Sequence, residues 1–173
     1  MTAAAHIVAE LEEVFGAVEA TTLDALARRI EAAGRVVCAG QGRSGLIAAA
    51  FAVRLGHLGV DVHVAGEPSQ PAVGPGDLLI AFSRSGRTGV TRHQAQRAVA
   101  AGAGVAVITA RGDRALAAAA DPVVVLPTAD SRQHAGSLFE QAALIATDAV
   151  AAELQTMRGL CDEALAARHD NLQ

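Results

Sequence analysis

The sequence predicts an α/β fold, a three-layer αβα sandwich in which a five-stranded parallel sheet lies between two layers of helices. Short apolar runs rich in β-branched residues recur along the chain, separated by longer stretches with helical spacing of apolar residues. The runs are continuously apolar, as expected for strands that are buried on both faces of a sheet. Their alternation with helices indicates that neighbouring strands are parallel.

Four of the apolar runs are clear strand candidates, and a fifth has a less clear pattern. The clear candidates are residues 35–39, 77–82, 104–109 and 122–127. The weaker candidate is residues 60–65. Together they supply the five strands of the predicted sheet.

The first helices are predicted from an alanine- and leucine-rich segment and from a stretch between the first two strands. Residues 5–33 form a helix pair that is broken near residues 20–22. Residues 44–58 carry apolar side chains at 3.6-residue spacing. Gly59 ends that helix, because glycine readily adopts the left-handed conformation of a helix stop.

Three further helices follow in the second half of the chain. Residues 88–101 and residues 137–155 have helical spacing, and the latter segment forms a long amphipathic helix. A shorter helix is predicted at residues 113–120. It should end before Asp121-Pro122, since the residue before a proline disfavours helical geometry.

We expect a single domain that spans residues 1–173. Folding at this length buries roughly 70% of the unfolded surface, and no linker, repeat or low-complexity tract divides the chain. Helices 5–33 are predicted to pack on the α/β core and also to form a subunit interface, because they are apolar on more than one face. Burial inside a monomer is the alternative. The apolar residues concerned are Ile7, Val8, Leu11, Val14, Phe15 and Val18.

Composition excludes several function classes. The formal net charge is −4, and tryptophan and tyrosine are absent, which argues against a nucleic-acid surface. Mean hydropathy is +0.32, but the apolar content is mostly alanine and no uninterrupted 18-residue apolar stretch occurs, so we expect no membrane span. The chain contains no lysine, which excludes a Schiff-base aldolase and a lysine-dependent phosphate loop.

The cysteines and the first residues predict a cytoplasmic protein without a metal centre. Cys38 lies in an apolar run and Cys161 in a helical pattern, with no CxxC motif or Cys/His cluster, which suits a reducing compartment. Residues 1–13 lack the basic start and apolar block of a signal peptide. The six histidines are scattered and form no HxH or HExxH motif, so we expect no metal.

Two glycine-bearing turns carry the candidate binding chemistry. They follow the first and third predicted strands in chain order, at residues 38–45 and 82–88. In a parallel sheet such turns lie at the carboxyl edge, where helix N-termini favour a phosphate. The candidate phosphate-binding residues are Gly42, Arg43 and Ser44 in the first turn and Ser83, Ser85, Gly86 and Thr88 in the second.

Two other interpretations of these turns stay open. The hydroxyls of the second turn are also suitable helix caps, although capping needs only one of the three. In the first turn, Gly40, Gly42 and Gly45 match the GxGxxG dinucleotide fingerprint. That fingerprint needs an acidic residue at the end of the second strand; Asp61 opens the run instead, and Glu67 lies beyond it.

Several segments together resemble a known family. Gly42-Arg43-Ser44-Gly45, the stretches 50–59 and 76–88, Gly136-Ser137-Leu138-Phe139-Glu140-Gln141 and the terminal Arg168-His169-Asp170-Asn171-Leu172-Gln173 are similar to the sugar isomerase (SIS) domain family and, within it, to the 6-phospho-3-hexuloisomerases. The resemblance covers nearly the whole chain in the expected order. Arg84 departs from the pattern, which usually has glycine between the two serines.

The resemblance implies a SIS-type, flavodoxin-like, doubly wound fold and an intramolecular oxidoreductase. Such an enzyme interconverts D-arabino-3-hexulose 6-phosphate and fructose 6-phosphate, in the ribulose monophosphate pathway of formaldehyde assimilation, through a cis-enediol without metal or cofactor. It also implies a homotetramer or a dimer. By position, Ser44, Ser83, Ser85 and Thr88 match the phosphate-binding hydroxyls of the family.

Candidate catalytic residues are Glu140 and His169, with His57 as another possible acid. Glu140 lies near the start of an apolar-flanked helix and matches the family's proton-transfer carboxylate; a glutamate that merely offsets the helix dipole is the alternative. His169 is assigned by resemblance alone, and a helix C-terminal cap is the alternative for His57. His134 and Glu67 are further candidates for the sugar site.

Two other functions compete with the hexulose isomerase. One is a SIS isomerase that acts on an arabinose or heptose phosphate. The other is a non-catalytic regulator that binds a sugar phosphate through the same serines. The presence of both Glu140 and His169 favours an enzyme, because a sensor needs no proton-transfer groups.

Overall fold

The computed structural model describes residues 2–161 together with Leu165 and Arg168. The first half of this part contains α1 (Ala3–Ala17), α2 (Ala20–Ala32), β1 (Val36–Gly40), α3 (Arg43–His57), β2 (Val62–Val64) and β3 (Leu78–Phe82). The second half contains α4 (Gly89–Ala100), β4 (Gly104–Thr109), β5 (Val123–Val125) and α5 (Ser137–Met157). Short 3₁₀ turns occur at Ala117–Ala119 and His134–Gly136.

The five strands form one all-parallel sheet in the order β2-β1-β3-β4-β5, which confirms the predicted fold class. The central pairing is between β1 and β3, where Val36 lies opposite Leu78 and Gly40 opposite Phe82. From β1 the chain turns outward to β2 on one side, and from β3 it proceeds to β4 and β5 on the other. The strand order therefore reverses between β1 and β3, which is where open α/β sheets place their ligand crevice.

Alternate residues of the central strands point into two separate cores. Cys38, Ile80 and Phe82 face the layer of α1, α2, α3 and α5. Ala39 and Ala81 face the thinner layer formed by α4 and the Ala117–Ala119 turn. The strands are continuously apolar because both of their faces are buried.

The layer on the α3 side is the thicker one, and its packing explains its helical pattern. α5 packs against α1, α2 and α3. Phe51 on α3 meets Phe82 on β3 edge to face, with 6.3 Å between ring centroids. Each such fully buried side chain stabilises the fold by about 1.5–3 kcal/mol. Within the described residues, no helix is both long and apolar enough to cross a membrane.

Two predicted elements differ from the structure. The helix predicted at residues 113–120 is wrong, because this segment forms turns and a 3₁₀ turn at Ala117–Ala119. The eight residues 113–120 are too few to offset the cost of helix nucleation. Leu116 and Ala117 are nevertheless buried, which accounts for the apolar spacing.

The break in the N-terminal helix pair lies earlier than predicted. Val18 and Glu19 are extended and separate α1 from α2, whereas Thr21 and Thr22 lie in the first turn of α2. The threonines suggested a break because they are poor residues for a helix interior. In a first turn, however, the backbone N–H groups lack helical partners anyway, so polar residues are tolerated there.

Candidate functional site

The two glycine-bearing turns lie side by side at the carboxyl edge of the sheet. β1 ends at Gly40 and β3 ends at Phe82, and these two residues are register partners. Adjacent strands are about 4.8 Å apart, so the segments that leave them begin as neighbours. Each turn leads directly into a helix, α3 from the first and α4 from the second.

The first turn requires glycine for close backbone packing. A Cβ atom on Gly40 would lie 2.7 Å from the carbonyl oxygen of Ser44, and one on Gly45 would lie 2.9 Å from the carbonyl oxygen of Gly40. Gly42, with φ of 57°, is the N-cap of α3, and no side chain caps this helix. The first N–H groups of α3 therefore have no side-chain acceptor, which is the arrangement that favours an anion.

The second turn is a cluster of hydroxyl groups. Ser83 is only 2% exposed, and its Oγ atom is 3.2 Å from Oγ1 of Thr88. The Oγ atom of Ser85 accepts a hydrogen bond of 3.2 Å from the N–H of Arg87. Thr88 occupies the N-cap position of α4, but its side chain makes no capping bond. Simple helix capping does not account for this cluster.

Glu140 joins the first turn to the start of α5. Its Oε2 atom lies 3.2 Å from Nη1 of Arg43, and its side chain is 19% exposed against 49% for Arg43. Arg43 also donates a hydrogen bond to the carbonyl of Ala135, just before α5. The carboxylate is thus held beside the first turn, and most of the Glu140 side chain is shielded from water.

Arg84 links the second turn to the same end of α5. Gly136 is the N-cap of α5 with φ of 84°, and a Cβ atom there would lie 2.6 Å from Nε of Arg84. The arginine side chain occupies the space that the missing Cβ leaves. Two arginines therefore contact neighbouring residues of the 134–136 segment: Arg43 binds the carbonyl of Ala135, and Arg84 packs against Gly136.

Residues at the end of β4 hydrogen-bond to the backbone of the second turn. Thr109 is fully buried, and its hydroxyl donates to the carbonyl of Arg84 while it accepts from the N–H of Arg111. The N–H of Ala110 donates to the same carbonyl of Arg84 at 3.2 Å. Sequence reasoning missed Thr109, although a hydroxyl that closes an apolar strand was a usable signal.

The other candidate residues lie elsewhere or are not described. His57 is at the C-terminal end of α3, about 21 Å along the helix from the first turn. Within one chain it therefore lies far from Glu140, which is beside that turn. His169 lies outside the described residues. His134 lies in the 3₁₀ turn before α5, and Glu67 follows the edge strand β2.

The described residues offer neither a reactive cysteine at Cys38 nor a cluster of metal ligands. Burial raises the pKa of the Cys38 thiol to about 12, so this cysteine is protonated near neutral pH and is a poor nucleophile. Among residues 2–161, no three His, Cys, Asp or Glu side chains come together as a group that could hold a metal ion.

Comparisons with known proteins match most of the chain. The SIS domain family model matches residues 29–152. A 3-hexulose-6-phosphate isomerase of Mycobacterium gastri is 42% identical over 172 residues, which cover 95% of this chain and 86% of the relative. A 3-hexulose-6-phosphate isomerase of Bacillus subtilis is 34% identical and covers 98% of this chain and 96% of the relative.

A solved structure matches over the same length. It is the crystal structure of a hypothetical protein of Methanococcus jannaschii, from which a 3-hexulose-6-phosphate isomerase function was inferred for that protein. The TM-score is 0.87 at 32% sequence identity, with 98% of this chain and 96% of that chain covered. The similarity therefore includes both turns, the sheet and α5.

Proposed function

The chain belongs to the sugar isomerase (SIS) domain family, and from this premise we propose that it interconverts D-arabino-3-hexulose 6-phosphate and fructose 6-phosphate. The observation that carries the proposal is the position of Glu140, whose carboxylate is held 3.2 Å from Arg43 beside the first turn. Relatives at 34% and 42% identity over nearly the whole chain are isomerases of this kind.

The phosphate of the substrate binds at the junction of the two turns. The uncapped N-termini of α3 and α4 supply backbone N–H donors, and Ser44, Ser83, Ser85 and Thr88 supply hydroxyls. The hydroxyl of Ser83 is already oriented by Thr88, so little conformational freedom is lost when a phosphate binds. A hydrogen bond to a charged group contributes about 1.5–3 kcal/mol, so a few suffice for specific binding.

Glu140 carries the hydrogen between adjacent carbons. The carboxylate removes the proton from C2 of the hexulose while the C3 carbonyl oxygen gains a proton, and a cis-enediol forms. The C2 hydroxyl then loses its proton, and Glu140 returns a proton to C3, which leaves the carbonyl at C2. A positioned acid/base of this type contributes about 10²–10⁴-fold to the rate.

Arg43 orients the carboxylate for this transfer. Its guanidinium binds both Glu140 and the Ala135 carbonyl, so the carboxylate is fixed relative to the first turn and to the start of α5. The same side chain lies at the first position of α3, next to the proposed phosphate site. We assign the transfer of hydroxyl protons to His169, in this chain or in a neighbouring copy.

Assembly into a homotetramer or a dimer is part of the proposal. α3 and α5 expose five large apolar side chains, of which Leu46 is 69% exposed: Leu46, Val53, Leu144, Ile145 and Met157. On α1, Val8 is also exposed. Contacts between copies of the chain would remove this apolar surface from water. Light scattering on the purified protein tests the assembly, and a monomer at micromolar concentration would contradict it.

A cytoplasmic location fits the cysteines. Cys38 and Cys161 are both free thiols, one buried and one exposed, and an exposed free thiol persists in a reducing compartment. Labelling of Cys161 in intact and in broken cells with a thiol reagent that does not cross membranes tests this location. Labelling in intact cells would contradict it.

The experiment that tests the activity compares three substrates side by side. The protein is incubated with hexulose, arabinose and heptulose phosphates, and the products are separated and identified. We expect turnover of the hexulose 6-phosphate to fructose 6-phosphate, with the other two at least tenfold slower, since an ill-fitting substrate loses roughly 1–3 kcal/mol. Preferred turnover of the arabinose or heptulose phosphate would assign the chain to another SIS isomerase. Binding without turnover of any of them would indicate a regulator.

A further inference from the structure

Glu10, on α1, accepts hydrogen bonds from three consecutive residues in the second half of the chain, Ser131, Arg132 and Gln133. Its Oε1 atom accepts from the N–H of Arg132 at 2.8 Å and from the hydroxyl of Ser131 at 3.2 Å. Its Oε2 atom accepts from Nε2 of Gln133 at 2.8 Å and from the Ser131 hydroxyl at 3.3 Å. One carboxylate therefore fixes the whole 131–133 segment.

This segment leads directly into the turn that contacts the two arginines of the site. Ala135 has φ of 51° and is the one non-glycine residue with positive φ among residues 2–161. Gly136, with φ of 84°, follows it and caps α5. Two successive left-handed residues, one of them alanine, persist only where the surrounding structure holds them.

The left-handed turn determines where Arg43 and Glu140 lie. The carbonyl of Ala135 accepts a hydrogen bond from Arg43, and Arg43 pairs with Glu140 one helical turn further along. A rotation of Ala135 to an ordinary conformation would move that carbonyl and the start of α5. Glu140 would then lose its fixed relation to the first turn.

We propose that Glu10 is a positioning residue for the isomerase site. By binding residues 131–133 it holds Ala135 and Gly136 in the left-handed conformation through which Arg43 orients Glu140. The role of Glu140 in this inference rests on the proposed function. The clamp itself, Glu10 on residues 131–133, depends only on the hydrogen bonds described.

The carboxylate form of Glu10 is the one that the segment requires. The backbone N–H of Arg132, followed by the side chain of Gln133, holds the pKa of Glu10 below its ordinary value. A glutamine at this position has one acceptor oxygen and presents an NH₂ group to the other donors. An alanine accepts none of these bonds.

General packing of α1 is a different role, and it is carried by other residues. Val14 is buried in the core, and Leu11 and Phe15 pack against it. Within the described part of the chain, the Glu10 side chain hydrogen-bonds to the 131–133 segment alone. Its removal should therefore loosen that segment while α1 stays in place.

The experiment compares Glu10→Ala and Glu10→Gln with Glu12→Ala, an exposed glutamate on the same helix. Hydrogen exchange of the backbone amides is measured along the chain, and kcat and KM are measured on the preferred sugar phosphate. For Glu10→Ala we expect amides of residues 132–137 to exchange at least about tenfold faster, with the strands unchanged. We expect kcat to fall about 10- to 100-fold and KM to change by less than about threefold.

The conservative variant and the control complete the design. Glu10→Gln should show the same pattern at smaller size, and Glu12→Ala should match the wild type. Unchanged exchange at residues 132–137 in both Glu10 variants would overturn the clamp. Faster exchange along all strands, or a loss confined to KM, would overturn the positioning role. If the wild type turned over no sugar phosphate, the proposed function would fail, and the exchange data would still decide the clamp.

Discussion

The turn after β1 and the turn after β3 share the carboxyl edge of the sheet but differ in what their side chains contact. The first turn is tightly packed backbone, and the side chain of Arg43 reaches out of it to Glu140 and Ala135. The second turn keeps its polar groups together, with the hydroxyl of Ser83 against that of Thr88. One turn is connected to the carboxylate, and the other forms a compact group of donors.

This difference indicates a division of roles between the turns. Changes at Arg43 and at Glu140 on α5 should lower kcat, because they disturb the carboxylate that we propose moves the proton. Changes in the hydroxyl cluster should raise KM, because they disturb the phosphate binding that we propose for this turn. A loss of transition-state stabilisation and a loss of uniform binding are distinguishable by these two constants.

The largest expected effect is that of Glu140→Gln on the carboxylate side. Glutamine keeps the size of the side chain but cannot accept the proton, so kcat should fall about 10²–10⁴-fold. Binding of fructose 6-phosphate, measured by calorimetry, should stay within about threefold of the wild type, since binding that is uniform between ground and transition states does not depend on this group. Glu153→Gln, an exposed change on the same helix, is the matched control. Equal activity in the Glu140 variant would remove this residue from the mechanism.

A smaller effect, on the other constant, is expected for Ser83→Ala combined with Ser85→Ala. Each lost hydroxyl bond to phosphate is worth about 1.5–3 kcal/mol, so KM should rise by at least about tenfold while kcat changes little. Thr156→Ala is the control, because its exposed hydroxyl bonds only to its own helix. Thermal unfolding of all variants checks that the fold is intact. An unchanged KM, or a loss confined to kcat, would contradict the division between the turns.

Arg84→Gly gives a weaker test, on the residue that links the second turn to α5. The arginine is exposed, so the loss of its charge should raise KM by only about two- to fivefold, as for other solvent-exposed charge interactions of 0.2–1 kcal/mol. The effect should shrink at high salt, because exposed charges are screened. Arg87→Gln, in the same turn, is the comparison variant. A lower KM in Arg84→Gly would mean that the arginine obstructs the site.

Removal of metal ions by a chelator should change neither kcat nor KM, because neither turn is proposed to use a metal. Carboxylate-mediated enediol formation needs proton transfer and no Lewis acid. Dialysis against EDTA should leave kcat and KM the same as those of the untreated protein. Loss of turnover that an added divalent metal restored would contradict the proposed mechanism.

The sheet was predictable from the sequence because its signal is local. Runs such as Leu78–Phe82 are continuously apolar since both faces of each strand are buried, and burial can be inferred from side-chain type alone. The turn residues followed from the same logic, because glycines and hydroxyls directly after a buried strand lie at the sheet edge. The wrong helix at residues 113–120 had apolar spacing that came from burial of Leu116 and Ala117 in turns.

The contacts between distant segments were not predictable in this way. The pair of Arg43 with Glu140, the packing of Arg84 on Gly136 and the bonds of Glu10 all join residues far apart in the chain. No periodicity or motif encodes such contacts. Arg84 was recognisable as a departure from the family pattern, but its position on a left-handed glycine became visible only in three dimensions.

Proton transfer by Glu140 is tested by the rate of product formation and by the passage of deuterium from solvent into the product. Hexulose 6-phosphate is incubated in D₂O with the wild type and with Glu140→Gln, and the fructose 6-phosphate formed is analysed by NMR. We expect the variant to form product about 10²–10⁴-fold more slowly than the wild type. Deuterium enters at C3 of the wild-type product to the extent that the proton on the carboxylate exchanges with solvent before it returns. A variant as fast as the wild type, whatever the label at C3, would contradict proton transfer by Glu140.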